Sequence, residues 1–224
     1  MRVPSGIKKS NYIRMKFRIA KPVDYKSIVE LHFSIRETYS VGIFAQLGKP
    51  FLKQYYRIIL NDPNSVVVCA EDDHGVMQGF CSATLDVEAQ MANIRKNKIV
   101  LGLSALSSII LKPYLIKHLI DRYKVIKNDT STKIISTRGA RSEYWVWRAT
   151  NQDSVSSIEM YFASFNILKS LGVKELFGEV DTVNKKILRF QQANGGKIIE
   201  RITLPDGRER VILKIDLANW KSRI

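Results

Sequence analysis

The chain has 224 residues, 45% of them hydrophobic, and a formal net charge of +15. A chain of this length and composition can bury a full core, which excludes a disordered polypeptide and suits a single domain. The N-terminus contains no apolar run long enough for a signal peptide, so a secreted protein is not expected.

The positive charge is concentrated in two stretches of the chain. Residues 1–18 carry six Lys or Arg and no acid, and residues 95–148 carry twelve bases against three acids, a net of +9. The remaining chain is neutral. Such local basicity indicates attraction to an anionic partner, which leaves nucleic acid, an acidic membrane face and a phosphate-bearing small molecule open.

The cysteines and histidines show no pattern typical of a disulfide framework or a metal site. Cys69 and Cys81 fall on predicted strands without CxxC spacing, and we expect reduced core thiols in a cytoplasmic protein. His32, His74 and His118 lie on different elements without ligand-like spacing, so no metal is predicted.

The first elements are predicted to be a strand, two helices and a hairpin. Residues 16–20 are typical of a strand, and apolar residues at helical spacing predict helices after Asp24 and after Pro50. Two strand-like runs, 65–70 and 77–85, flank a turn rich in Asp and Gly, which predicts an antiparallel hairpin.

Residues 93–127 are predicted to form a helical insertion. Four apolar residues recur there at helical spacing, namely Ile99, Leu103, Leu106 and Ile110. Pro113 interrupts the pattern, and the apolar run is shorter than the roughly 20 residues that span a bilayer. The insertion either covers one side of a sheet or lies on a membrane surface. In the second case the bases facing lipid phosphates would be Lys117, Arg122 and Lys124.

Strands and helices alternate in the second half of the chain. Aromatic and β-branched residues predict a strand over 143–148, and Leu-Gly-Val at 171–173 ends the helix that follows. The apolar run 176–180 is typical of a buried strand, and Asn-Gly-Gly at 194–196 ends an amphipathic helix after it. A Pro-Asp-Gly turn at 205–207 closes a last hairpin.

This order of elements resembles the GNAT superfamily of acyl-CoA-dependent N-acetyltransferases. Near the C-terminus, Asn184, Phe190 and Gly195 match the family motif Asn-x-x-Ala-x-x-Phe-Tyr-x-x-x-Gly-Phe. The resemblance implies an α/β (α+β) fold with a mixed, mostly antiparallel central sheet flanked by helices. It predicts one domain at 16–217 with the 93–127 insertion, a basic N-terminal tail at 1–15 and a C-terminal tail at 218–224.

The resemblance also implies acetyl-CoA or another acyl-CoA as co-substrate, and no metal. The family holds the pyrophosphate on an Arg/Gln-x-x-Gly-x-Gly/Ala loop, but residues 148–156 contain no glycine, and Asp153 there would repel phosphate. Gln191 replaces the family's general-acid tyrosine and cannot protonate a thiolate. The cofactor contacts that the resemblance predicts are Trp147, Arg148, Ala149, Ser154, Ser156 and Asn184, although Asn184 is equally a helix cap.

A carboxylate is needed as the base, because an amine nucleophile must lose a proton near neutral pH. Glu143, Glu179 and Asp181 lie at strand ends or in an otherwise apolar strand, and they are the catalytic candidates. Each of them is alternatively a structural acid in an ion pair.

The family implies that the first two helices and the loop between them bind the acceptor. The substrate-binding candidates are His32, Arg36, Tyr39 and Phe44, with Arg138 and Arg141 as a phosphate contact. A core histidine and solvated arginines are the alternatives.

The predicted function is an N-acyltransferase acting on an amine of a small, anionic acceptor such as an amino sugar derivative. One alternative is a GNAT-fold ligand-binding module that has lost catalysis. Another is a basic protein on nucleic acid or an anionic membrane surface, which ranks third because the basic stretches lie outside the family-like core. As a partner of the acyltransferase, nucleic acid is not expected. The sequence leaves a homodimer open.

Overall fold

The computed structural model of the protein describes residues 15–35, 43–116, 139–151, 153–204 and 207–221. Within these ranges the chain forms a seven-stranded sheet with helices on both faces. The strands are β1 (Lys16–Ile19), β2 (Ser65–Glu71), β3 (Met77–Thr84), β4 (Ala140–Trp147), β5 (Glu175–Asp181), β6 (Lys197–Thr203) and β7 (Glu209–Asp216). The α-helices are α1 (Tyr25–Ser34), α2 (Ile43–Gln46), α3 (Gly48–Leu60), α4 (Val87–Lys96), α5 (Lys98–Leu111), α6 (Ser154–Ser170) and α7 (Lys185–Ala193).

The strands are ordered β1-β2-β3-β4-β5-β7-β6 across the sheet. Every neighbouring pair is antiparallel except β4 and β5, which are parallel. The mixed, mostly antiparallel sheet predicted from the sequence is therefore confirmed, and so is the β2–β3 hairpin.

The sheet separates two hydrophobic cores. On one face, α1 and α3 pack on the sheet and α5 packs on α3, through buried residues that include Ile28, Leu52 and Phe80. On the other face, α6 packs through Met160 and Phe165. Cys69 and Cys81 are buried free thiols on β2 and β3, as predicted. We call the two sides the α3 face and the α6 face.

Strands β4 and β5 separate soon after they begin to pair. Their only registered pairs are Ala140 with Leu176 and Arg141 with Phe177. Beyond these residues, β4 remains paired to β3 and β5 to β7, but the two strands do not pair with each other. The result is a wedge between the later parts of β4 and β5, which we call the strand gap.

A β-bulge in β4 decides which side chains face which core. Ser82 of β3 pairs with Tyr144 while Ala83 pairs with Ser142, so Glu143 is an extra residue without a partner in β3. Strict alternation would place Glu143 on the same face as Trp145. Because of the bulge, Glu143 lies on the α3 face together with Tyr144, and Trp145 lies on the α6 face.

The helical insertion differs from the prediction in its start and in the side it buries. Its first helix begins at Val87, because the Asp86 carboxylate caps it by accepting from the backbone N–H of Glu88 at 2.8 Å and of Ala89 at 3.2 Å. Helix α5 follows at Lys98. Residues 117–127 of the predicted insertion lie outside the described ranges.

The predicted apolar stripe of α5 does not cover the sheet, which was one of the two arrangements that the sequence left open. Its members are exposed: Ile99 by 70%, Leu103 by 67%, Leu106 by 49% and Ile110 by 68%. The opposite side of the helix, with Leu101 and Ala105, is buried on the α3 face. Periodicity indicated the stripe but not the side that the core covers. In the described ranges, no helix is long and apolar enough to cross a membrane.

Glycines end the elements near the C-terminus where the sequence predicted. Gly195 follows α7 with φ +95°, and Gly207 lies in the β6–β7 turn with φ +80°, both in the left-handed region. Trp220, in the predicted C-terminal tail, packs against Phe162 and Phe165. The boundaries of the domain and its tails stay predictions.

Candidate active site

Glu143 presents a buried carboxylate beside the strand gap. The bulge places it on the α3 face, where its side chain is 8% exposed. Oε1 lies 3.5 Å from Nη2 of Arg141, and Oε2 has no hydrogen-bond partner in the described part of the chain. Burial raises the pKa of Glu143, while Arg141 acts against that rise. A carboxyl group with a raised pKa is suited to accept a proton near neutral pH.

Arg141 is held near the mouth of the strand gap by acidic neighbours. Burial acts to lower the pKa of Arg141, but the carboxylates of Glu143 and Glu179 raise it overall. Of the two predicted phosphate-binding arginines, Arg141 is thus already placed beside Glu143. Arg138 lies outside the described residues.

Three aromatic rings border the α3 face next to Glu143. Phe44 of α2 lies 4.8 Å from Tyr55 of α3 and 6.4 Å from Tyr144 of β4, measured between ring centroids. Phe44 is therefore close to Tyr144, the residue that follows Glu143, and its contact with a substrate stays a prediction. Arg36 and Tyr39 fall outside the described ranges.

His32 is a core residue that packs among aromatic rings of the α3 face. Its side chain is almost fully buried, its Nδ1 lies 2.6 Å from the Tyr56 hydroxyl, and its ring packs 4.5 Å from Tyr144. Burial lowers the pKa of His32 to about 4, so the imidazole is neutral in the folded protein at neutral pH. These contacts are those of a core histidine, the alternative that the sequence left open.

His32 makes the folded protein sensitive to acid. Its pKa in the unfolded chain is 6.5, so the unfolded state binds a proton as the pH falls below 6.5 while the native state binds it only near pH 4. We expect His32→Gln to remove about 2 to 3 kcal/mol of the stability lost between pH 7 and pH 4.5. Urea unfolding at both pH values measures this; His74→Gln, in an exposed turn, is the matched control. Equal acid sensitivity of the wild type and His32→Gln would contradict the assignment.

Tyr161 is a polar residue on the α6 face that the sequence pattern did not single out. Gln191 Nε2 donates a hydrogen bond of 2.7 Å to the Tyr161 hydroxyl, and the ring stacks on Trp145 at 4.4 Å. Burial raises the pKa of Tyr161, although hydrogen bonds from Gln191 and Ser142 oppose the rise. The phenol therefore stays protonated, and since its oxygen accepts from Gln191, its own proton can be donated elsewhere.

Trp147 and Arg148 occupy the far end of β4. The Trp147 ring covers Gly79, where an added Cβ would come within 2.3 Å of the ring. Arg148 Nη2 donates to the carbonyl of Met77 at 2.8 Å. Trp147 Nε1 and Arg148 Nε are buried without a hydrogen-bond partner in the described chain. Both candidates thus retain a donor that a ligand can use.

The loop before α6 is held by an acidic helix cap. Asp153 caps the helix: its carboxylate accepts from the Ser156 backbone N–H at 3.0 Å and from the Ser156 hydroxyl at 2.6 Å. Ser156 is therefore engaged within the protein, while Ser154 and Ala149 are exposed. The carboxylate places negative charge at the helix N-terminus.

Two of the three candidate bases are in ion pairs on the β5–β7 ladder. Asp181 lies 2.6 Å from Nε of Arg210 and 3.2 Å from Nη1 of Arg208. Glu179 lies 3.0 Å from Nη1 of Arg210. The alternative interpretation as structural acids fits these contacts. Glu143 is also paired, with Arg141 at 3.5 Å, but its Oε2 has no hydrogen-bond partner in the described chain, so it is the candidate base that we retain.

Asn184 caps α7 by accepting from the backbone N–H of Ile187 at 3.3 Å. This is the helix-cap role that the sequence left open beside cofactor binding. No cluster of His, Cys, Asp and Glu that could hold a metal ion occurs among the described residues.

Comparison with known proteins identifies the fold. No protein-family model and no curated protein matches the sequence. Solved structures do match, at identities such as 9% and 12%. An acetyltransferase of the GNAT family from Staphylococcus aureus Mu50 is 10% identical, with 91% of this chain and 99% of that chain covered and a TM-score of 0.56.

Two further solved structures have a similar fold. The PaiA N-acetyltransferase from Thermoplasma acidophilum in complex with coenzyme A is 11% identical over 91% of this chain and 99% of that one, with a TM-score of 0.54. A mutant spermidine N-acetyltransferase from Vibrio cholerae is 10% identical over 93% and 97%, with a TM-score of 0.57. The protein described here therefore has the GNAT fold.

Proposed function

We propose that this protein is an acyl-CoA-dependent N-acyltransferase that moves an acetyl or other acyl group to an amine of a small acceptor. The observation that carries the proposal is the strand gap, with the Glu143 carboxylate on its α3 face and the Tyr161 phenol on its α6 face. A base and an acid on opposite sides of one cleft suit a reaction in which one group loses a proton and another gains one.

The two residues divide the proton transfers between them. Glu143 accepts the proton that the attacking amine must lose, and Phe44, Tyr55 and Tyr144 shield that carboxylate from water. Acyl-CoA, when bound, supplies a thioester whose C–S bond breaks as the new C–N bond forms. Tyr161 donates its proton to the departing sulfur, which is the task that Gln191 cannot perform.

The residues around the strand gap fit the pantetheine arm of such a co-substrate. That arm carries two amides, which need hydrogen-bond partners when they leave water. Trp147 Nε1 offers a donor and Gln191 Oε1 an acceptor, and both are buried without partners in the described chain. The unpaired edge of β4 offers further backbone groups.

The residues at the pyrophosphate end fit less well, because Asp153 occupies the N-terminus of α6. We expect Asp153→Asn to tighten coenzyme A binding about two- to fivefold, since Asn caps a helix as well as Asp but removes the charge. Calorimetric titration with coenzyme A measures the change. The matched control is Asp86→Asn at the cap of α4, which should leave the affinity unaltered. A weaker affinity for Asp153→Asn would show that the carboxylate helps binding.

For the acceptor we propose an anionic amine such as an amino sugar derivative carrying phosphate. Arg141 beside Glu143 and the basic segment 95–148 support this choice. The buried thiols Cys69 and Cys81 are compatible with the cytoplasmic location that we propose alongside it.

A panel of amines tests the proposed function. The full chain is incubated with acetyl-CoA and either amino sugar phosphates, spermidine or simple primary amines, and the release of free thiol and the mass of the product are followed. Acylation of any member supports N-acyl transfer, and preference for the phosphorylated amines supports the anionic acceptor. Absence of acylation together with absence of acetyl-CoA binding would overturn the proposal.

A second candidate function is a ligand-binding module that has lost catalysis. It is favoured by the Asp153 cap at the helix N-terminus and by Gln191 in place of the family tyrosine. Thermal unfolding distinguishes the two. Stabilisation by coenzyme A supports the enzyme, whereas stabilisation by a nucleotide sugar and by no thioester supports the module.

A further inference from the structure

The exposed side of α5 forms a continuous apolar surface. Four residues at positions i, i+4, i+7 and i+11 lie along it, and Leu111 extends it with 80% exposure. Those four are Ile99, Leu103, Leu106 and Ile110, and with Leu111 they form what we call the α5 apolar face. An exposed apolar patch of this kind on a water-facing helix is typical of an interaction site.

The α5 apolar face is presented on a firmly packed helix. Leu101 and Ala105 bury the opposite side of α5 against the core. The start of α3 approaches it closely: a Cβ on Gly48 would lie 2.6 Å from the Ser108 hydroxyl. The fold therefore holds the exposed stripe toward solvent. At about 1.5 Å per residue, α5 is about 20 Å long.

Charge along this segment of the chain is of one sign. Exposed bases precede the stripe and follow it, namely Arg95, Lys96, Lys98 and Lys112. From Ala89 to Ile116 the sequence contains no acid. An apolar stripe with basic residues at both ends is the pattern of a helix that lies in the interface of an anionic bilayer.

We propose that the α5 apolar face docks the protein on an anionic phospholipid surface, with the stripe among the acyl chains and the flanking bases on the lipid phosphates. Charge favours lipid over a second copy of the chain. If two copies paired through α5, either antiparallel or parallel, Lys98 or Lys112 of one copy would face a base of the other.

The position of the face gives the docking a definite orientation. Beyond α5, the Tyr114 hydroxyl lies 3.2 Å from Oε1 of Gln46 in α2, the helix that also carries Phe44. A bilayer on the α5 apolar face would thus lie beside the elements of the α3 face. The proposal does not depend on acyl transfer and is tested without it.

Vesicle co-sedimentation of the full chain tests the docking. Wild-type protein is expected to bind vesicles of phosphatidylglycerol and phosphatidylcholine, to bind pure phosphatidylcholine at least tenfold more weakly, and to lose binding as salt rises. Leu103→Glu is expected to lower the partition coefficient at least tenfold. Lys98→Gln and Lys112→Gln should each lower it about fivefold.

Val183→Glu is the matched control, because it introduces the same charge at a valine that is 77% exposed in the turn before α7. It should leave vesicle binding unchanged, and circular dichroism checks that each variant is folded. Equal binding of Leu103→Glu and Val183→Glu, or no binding by the wild type, overturns the proposal. A further outcome would also overturn it: a wild-type dimer in sedimentation velocity that Leu103→Glu converts to a monomer. In that case the α5 apolar face would bind a second copy of the chain.

Discussion

Replacing Glu143 by Gln is expected to lower kcat/KM for amine acylation by about 10²- to 10³-fold at pH 7. The amide cannot accept the amine proton, although it has nearly the same shape as the carboxylate. Activity of the wild type should rise with pH as Glu143 ionises, and this acidic limb should disappear in the variant. The acceptor in this assay is the amine that the wild type acylates fastest in the panel of amines described above.

Stability distinguishes this role from a structural one. Burial raises the pKa of Glu143 above its value in the unfolded chain, so its ionised form destabilises the fold as the pH rises. Glu143→Gln should therefore unfold at an equal or higher temperature at pH 7, with acetyl-CoA binding retained. Glu30→Gln, in an exposed pair with Lys49, is the control for both measurements. A Glu143→Gln variant that keeps its activity would remove Glu143 as the base.

Replacing Tyr161 by Phe is expected to lower kcat about 10- to 100-fold with acetyl-CoA, with little change in the affinity for it. The loss should shrink when the leaving thiol has a low pKa, because such a thiolate departs without protonation. Comparing acetyl-CoA with an aryl thioester measures this directly.

The leaving-group comparison is needed because Tyr161→Phe also removes the hydrogen bond from Gln191, which costs about 1 kcal/mol of stability. Tyr25→Phe, which removes a hydroxyl that accepts from Arg57 at 3.1 Å, is the control for that loss. If Tyr161→Phe slows both thioesters equally, or slows neither, Tyr161 is not the proton donor.

The sequence predicted the order of elements well because local signals decide it. An Asp-rich turn that ends at Gly75 marks the β2–β3 hairpin, and Gly195 ends α7 in the left-handed conformation that the Asn-Gly-Gly stop requires. The resemblance through Asn184, Phe190 and Gly195 depends on the same local motif.

The features that decide the site are non-local, and the sequence did not predict them. The bulge at Glu143 depends on register against β3. The sequence did contain one sign of the bulge. Strict alternation would put the charged Arg141 and Glu143 on the same face of the sheet as the aromatic Trp145 and Trp147. The pairing of Asp181 with Arg210 requires β7 to lie between β5 and β6, and local pattern does not reveal that.

For a related reason, the sequence pattern did not single out Tyr161 and did not show which side of α5 is buried. Tyr161 lies between Met160 and Phe162 in a helix whose apolar spacing predicts only a core contact, and its partner Gln191 is 30 residues away. The α5 stripe satisfies helical periodicity on its exposed side, while the small residue Ala105 and Leu101 form the buried one.

Calorimetric titration of the folded chain with acetyl-CoA, compared with a variant that fills the strand gap, tests the central claim most directly. Ser142→Phe places a large ring just beyond the last β4–β5 pair, and Ser170→Phe, exposed at the end of α6, is the control. Saturable binding by the wild type and by Ser170→Phe, lost in a folded Ser142→Phe variant, is the predicted result. No binding by the wild type, or undiminished binding by Ser142→Phe, would contradict an acyl-CoA site in the strand gap.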